Sequence, residues 1–196
     1  MRNITNLIYI LKLFLKSKKI FIKPSKKKFL IIDSRNHFLL EEFLKKRNFN
    51  ILYTRGEEIN LYVLAHAILK LDFKNIGLCY INAYIKLTKP KCCITLNHAK
   101  LYFYKIKQHN KGLITIAIQN GHTYLKYPYD KFLNSIKKEN FTFGKKNLSA
   151  DYVFSHNNYF SKYLFKKYIK CKTLEIGGFK NNYYFKKKEI KKKNVI

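Results

Sequence analysis

Acidic side chains are scarce in this chain: 11 Asp and Glu stand against 41 Lys and Arg, a formal charge of +30 over 196 residues. Such a field attracts nucleic acid, anionic lipid head groups or phosphorylated substrates, without choosing among them. Tryptophan is missing, and there are only 7 glycines and 3 prolines, while Lys, Asn, Ile, Phe and Tyr abound. AT-rich codons filling tolerant surface positions would leave the same bias, so charge alone assigns no function. The four cysteines, Cys79, Cys92, Cys93 and Cys171, lack the paired spacing of a structural zinc site. Cys92 and Cys93 are adjacent in a strand-like run and point to opposite faces, which suits core filling by free thiols in a reducing compartment.

An apolar run long enough to span a bilayer is also lacking. Residues 7–22 (LIYILKLFLKSKKIFI) are broken by Lys12, Lys16, Lys18 and Lys19, short of the about 20 apolar residues a spanning helix needs. A signal peptide would carry its charges before the apolar part and small residues after it, whereas here lysines follow and alanine is missing. On a helix, Leu7, Ile8, Leu11, Phe14 and Leu15 share one face. That face lies either in an anionic membrane surface or on the chain's own domain, and the basic run Lys26, Lys27 and Lys28 leans toward the membrane. No Walker lysine motif, HExxH or complete GxGxxG occurs. Gly177 and Gly178 follow a strand without the acidic residue of a dinucleotide site, so no metal, NAD, FAD or other cofactor is expected.

What the chain does contain is alternation. Strand-like runs at 29–33 (FLIID), 50–53 (NILY), 92–96 (CCITL), 114–118 (ITIAI), 151–155 (DYVFS) and 173–176 (TLEI) are separated by helical patterns. Those patterns cover 38–47, the stretch opening at RGEEIN 55–60 and running to Leu71, then 76–89, 103–109 and 157–170. Strands alternating with helices predict an α/β fold, a single Rossmann-like domain with a mostly parallel sheet. The expected layout is a basic amphipathic segment at 1–28, the domain at 29–179 and a basic tail at 180–196, with a long irregular loop at 123–150.

The run at 114–122, ITIAIQNGH, is the most informative stretch. A strand buried on both faces ends there in amides, glycine and imidazole, and open α/β sheets bind ligands beyond the carboxyl ends of their strands. Gln119, Asn120, Gly121 and His122 are therefore candidates. Gly121 permits a positive-φ turn that brings backbone N–H groups to an anion, and His122 titrates near neutrality and can take a proton from a hydroxyl. The plainer alternative is a strand-ending turn with an exposed histidine. Asp33, Asn97, Ser155 and Gly177 follow other strands and reach the same rim, although polar residues end strands wherever chain exits are wet. Arg55, Glu57 and Asn60 form a polar group at a helix start, fit either for a phosphate or carboxylate or for capping with a surface ion pair. Tyr102, Phe103 and Tyr104 beside Lys105 and Lys107 could stack single-stranded nucleic acid, but their helical spacing favours core packing.

Taken in order, ILYTRGEEINL at 51–61, IQNG at 118–121, DYVFS at 151–155 and IGGFKNN at 176–182 carry a resemblance. Residues 29–182 resemble the N-terminal half of bacterial surface-carbohydrate biosynthesis transferases, GT-B-type enzymes similar to CDP-glycerol glycerophosphotransferases. HTYLK at 122–126, with Asp130 beyond it, is similar to the histidine-containing loop of the latter. The resemblance implies His122 as catalytic base, with substrate contacts from Arg55, Glu57, Asn60, Asn97, Gln119, Asn120, Gly121, Ser155 and Gly177. It also implies a nucleotide-activated donor, a glycan or lipid-linked acceptor, a second Rossmann domain in this or another chain, and a peripheral place at the cytoplasmic face of the cell membrane. Two departures stand out: Gly121 precedes the histidine instead of following it, and Asn97-His98 stands where the surface-carbohydrate group carries an acidic residue. The competing class is a non-catalytic basic module that binds nucleic acid or anionic membrane.

Overall fold

Strands without polar alternation, such as FLII at 29–32 and CCIT at 92–95, must be covered on both faces, and here they lie inside a six-stranded sheet. A computed structural model describes residues 14–41, 43–45, 48–69, 76–120, 134–137, 148–181 and 184. In chain order the elements are β1 (Lys18–Ile20), β2 (Phe29–Ile32), α1 (Phe38–Glu41), β3 (Phe49–Leu52), β4 (Glu58–Asn60), α2 (Leu61–Ile68) and α3 (Ile76–Thr88). Then come β5 (Cys92–Thr95), α4 (Leu101–His109), β6 (Ile114–Ile118), β7 (Ser149–Ser155), a π-helical segment Phe160–Phe165, α5 (Lys166–Tyr168) and β8 (Lys170–Glu175). The main sheet has the order β3-β2-β5-β6-β7-β8 with every pair parallel. The fold is α/β and Rossmann-like.

Side-chain alternation along the strands splits the core in two. Leu30 and Ile32 join Cys93, Ala117 and Val153 on the face covered by α2, α3 and α4, where Val63, Ile81, Phe103, Tyr104 and Ile106 are buried. Ile31, Cys92, Ile94 and Ile118 point the other way, onto Leu40 and Leu44. The adjacent cysteines thus fill opposite layers. They are free thiols, and burial pushes both pKa values up, that of Cys92 to about 11. Asp151 stitches β6 to β7: its carboxylate accepts from Thr115 N and Oγ1 at 2.8 and 3.0 Å and from Lys107 Nζ at 2.7 Å. At the far edge β8 is largely exposed and carries Lys170 and Lys172, charges that discourage pairing with another chain.

The structure corrects several expected elements. The expected N-terminal helix persists only at residues 14–16 among those described, and Lys18–Ile20 is instead a strand, parallel to β4. Ser17 Oγ donates to Phe14 O at 2.9 Å and closes the helical turn there. The helix expected from 55 starts at Leu61, because Gly56 adopts φ +83, a conformation foreign to a right-handed helix. Asn60 caps it instead, its side-chain oxygen accepting from Val63 N at 3.0 Å. Of the helix expected at 38–47, Phe38–Glu41 is helical and residues 43–45 are not, while 42, 46 and 47 lie outside the described residues. The one expected at 157–170 is π-helical over Phe160–Phe165 and ends at Tyr168, where Ile169 turns to φ −126, ψ 135 and is buried, so that the last strand begins at Lys170 and not at 173. Of the expected 123–150 loop, residues 134–137 form a helical turn with Ile136 fully buried and 148–150 are ordered around β7, while the remainder lies outside the described residues.

Candidate functional site

The strand order reverses between β2 and β5: the chain leaves β2 for β3 on one side, then crosses back to β5 and proceeds outward through β6, β7 and β8. At such a switch point the following loops diverge and open a crevice beyond the strand ends. The residue that follows β2 is Asp33, and the loop after β5 contains Asn97.

Asp33 is the hub of this crevice. Its residue is only 1% exposed, and a buried carboxylate needs partners. Arg55 supplies two donors to Oδ2, Nε at 3.2 Å and Nη2 at 2.6 Å, and Asn97 Nδ2 donates to the same oxygen at 2.8 Å. Oδ1 accepts from Arg35 N at 3.2 Å. Burial raises the carboxyl pKa, but the bonds from Arg55, Asn97 and Arg35 outweigh it, and the net shift is downward. Asp33 is thus a fixed anion near neutral pH, and its work is to aim Arg55. The pairing in turn raises the pKa of Arg55. The Arg55 side chain remains 29% exposed, with three of its five N–H donors not spent on Asp33. Asp33 also holds φ +77, an uncommon left-handed conformation for a residue with a side chain. Glu57 completes the group: it accepts from Ser34 Oγ at 2.9 Å and from Arg55 N at 3.1 Å.

A second polar group lies at the ends of β6 and β7. Gln119 is fully buried; its Oε1 accepts from His156 N at 2.9 Å, and its backbone oxygen lies 3.1 Å from His156 Nε2. Gln119 Nε2 and Asn120 Oδ1 are buried and make no hydrogen bond among the described residues. His98, next to Asn97, lies edge-on to the Phe165 ring at 5.9 Å. Burial, aided by nearby His156, holds its pKa down to about 4. At neutral pH His98 is an uncharged imidazole.

The sequence-derived candidates divide accordingly. Arg55, Glu57 and Asn97 are brought together around Asp33, and Gln119 and Asn120 lie at the end of β6. Asn60 is engaged elsewhere, capping α2 and donating from Nδ2 to Ile22 O at 2.9 Å. Ser155 Oγ meets Ser161 Oγ at 2.5 Å inside the protein. Gly177 follows β8 with φ +66. Gly121 and His122 lie outside the described residues. Sequence reasoning missed His37, His98 and His156 as members of this rim. His37 follows β2 by a short loop, where Nδ1 lies 2.7 Å from Ser34 O and Nε2 lies 3.5 Å from Glu41. Only a polar residue just past a strand would have flagged any of them, a weak signal.

No group of three or more His, Cys, Asp or Glu side chains able to hold a metal ion occurs among the described residues. Among the same residues, no helix is long and apolar enough to cross a membrane. Chemically, the crevice offers a positioned guanidinium for an anion, with amides and carboxylates beside it for hydroxyl groups. No protein-family model, curated protein or solved structure matches the chain.

Proposed function

We propose that this chain is the acceptor-side domain of a nucleotide-sugar or CDP-alditol dependent glycosyl- or glycerophosphotransferase of surface polysaccharide synthesis, working with a second, donor-binding Rossmann domain. The observation that supports this reading best is the Arg55, Asp33 and Asn97 cluster at the switch point of a parallel sheet. A guanidinium held by a buried carboxylate is preorganised for a phosphate, and its neighbours suit hydroxyl groups. In the reaction, a base takes the proton of an acceptor hydroxyl. The oxygen then attacks the activated carbon or phosphorus of the donor, and the bond to the nucleotide leaving group breaks. The resemblance gives the base role to His122. The test mixes the purified chain with a donor-binding Rossmann-domain protein encoded beside it and follows transfer from labelled nucleotide donors. Transfer should fall about 10²-fold or more in His122→Ala and at least tenfold in Arg55→Ala. Unchanged transfer in both variants would overturn the reading.

A basic module that binds anionic membrane or nucleic acid without catalysis is the second reading. It is favoured by exposed Leu15, Phe21 and Ile22, at 71, 73 and 79%, among lysines. It requires affinity that falls steeply with salt and ignores nucleotide sugars. Peripheral attachment at the cytoplasmic membrane face belongs to both readings, and vesicle flotation tests it.

A further inference from the structure

Beside the switch point lies a cavity of about 600 Å³ that neither reading uses. It is walled by Ile59 and Leu64 around the start of α2, Leu78 and Ile81 of α3, and Leu101 of α4, with Phe14 entering from the N-terminal turn. Thr54 and Gly56, the neighbours of Arg55, also line it, and Tyr102 on its wall donates to Thr54 Oγ1 at 3.2 Å. The volume is that of a ligand site, and the lining is too apolar to satisfy a sugar or a nucleobase. Its charged members are Lys105 and Glu58, and Glu58 lies 3.6 Å from Lys18.

The adjoining surface says which apolar ligand fits. Leu15, next to Phe14 in the N-terminal turn, is mostly exposed, Phe21 and Ile22 are exposed beyond the far end of β1, and Lys16, Lys18 and Lys23 are exposed along the same segment. Exposed apolar side chains interleaved with lysines suit the boundary between head groups and acyl chains of an anionic membrane. The +30 charge disfavours a cationic ligand.

We propose that this cavity takes the hydrocarbon chain of a phosphate-bearing membrane lipid, with the phosphate meeting Lys105. The proposal deepens the transferase reading by giving its acceptor a lipid anchor, yet it stands without any transfer chemistry.

Gly77, on the cavity wall in the first turn of α3, provides the probe. A Cβ built there meets no atom within 4 Å, so Gly77→Phe adds a ring at the cavity wall with no clash at its Cβ. Calorimetry with dodecyl phosphate, kept below its micelle concentration, should show saturable binding of one molecule per chain. Inorganic phosphate should not bind, and dodecyltrimethylammonium should bind at least tenfold more weakly. Gly77→Phe, with an unchanged circular dichroism spectrum, should weaken dodecyl phosphate at least tenfold yet still float with phosphatidylglycerol vesicles. Lys105→Gln should weaken dodecyl phosphate and leave dodecanol binding intact. The proposal is overturned if the unmodified chain does not bind dodecyl phosphate, if Gly77→Phe binds it equally well, or if the cationic amphiphile or inorganic phosphate binds as tightly. A chain that binds dodecyl phosphate but transfers nothing with its donor partner would sink the transferase reading and leave this one standing.

Discussion

At the scale of single residues, the question is what a buried carboxylate costs when its partners are removed. Arg55→Ala leaves Asp33 with Asn97 and the Arg35 amide but no countercharge. Loss of one partner of a buried pair costs several kcal/mol, and the 29% exposure of the Arg55 side chain reduces this to roughly 1–3 kcal/mol. Urea unfolding should show that loss, together with a smaller one for Asp33→Asn, which leaves a cation that water can reach. A cost below about 0.5 kcal/mol for Arg55→Ala, the range of ordinary surface changes, would mean that the pair does not order the crevice. His98 makes a second case. Its pKa is lowered from 6.5 to about 4 in the fold, so between those values the unfolded chain binds a proton that the native chain refuses. Stability therefore falls with acidification through that window, with a slope approaching about 1.4 kcal/mol per pH unit from this group. Asp33 acts lower: its contribution is complete above the ordinary 3.8 and is lost as pH falls through its depressed folded value. Urea midpoints measured from pH 7.5 to 4.5 should fall in the native chain and flatten in His98→Gln. Arg55 was legible in the sequence as part of a polar group at a helix start and Asn97 as a polar residue past a strand. Asp33 as their common partner was not, because it meets Asn97 across 64 positions and no local pattern records that meeting.

At the scale of elements, long periodic segments were readable and short ones were not. Helix α3 and the apolar strands announce themselves by repeated apolar spacing, whereas β1 and β4 have three residues each, too few to display a period. Their pairing partners come from distant parts of the chain. Asn60 shows what an element boundary asks of a polar residue. Its oxygen caps α2 and its amide holds the backbone of Ile22. Asn60→Ala should cost about 1 kcal/mol for the cap, with a further loss from the stranded Ile22 carbonyl. Asn60→Asp should restore the cap term alone, and thermal melts of the two variants separate the contributions. The π-helical turn at Phe160–Phe165 was equally hidden, since the residues there would also suit an ordinary helix, and only buried Ile169 leaving the helix for β8 marks its end.

At the scale of the whole molecule, a charge of +30 strains the compact state by self-repulsion. Raising ionic strength from 0.01 to 0.15 M shortens the screening length from about 30 to about 8 Å, so the midpoint of thermal unfolding should rise by several degrees. A flat or falling midpoint would show that attractive surface pairs dominate. What the sequence determined by itself was the α/β class, the parallel sense of the sheet and the opposite directions of Cys92 and Cys93. Those follow from apolar runs, crossover lengths and a two-residue alternation, all local patterns. Only tertiary structure decided that β2 and β5 are neighbours, that Asp33, Arg55 and Asn97 therefore meet, and that an apolar cavity opens beside them. Strand order is chosen by packing between distant segments, and the spacing of residues along a chain carries no record of which distant segment will lie alongside.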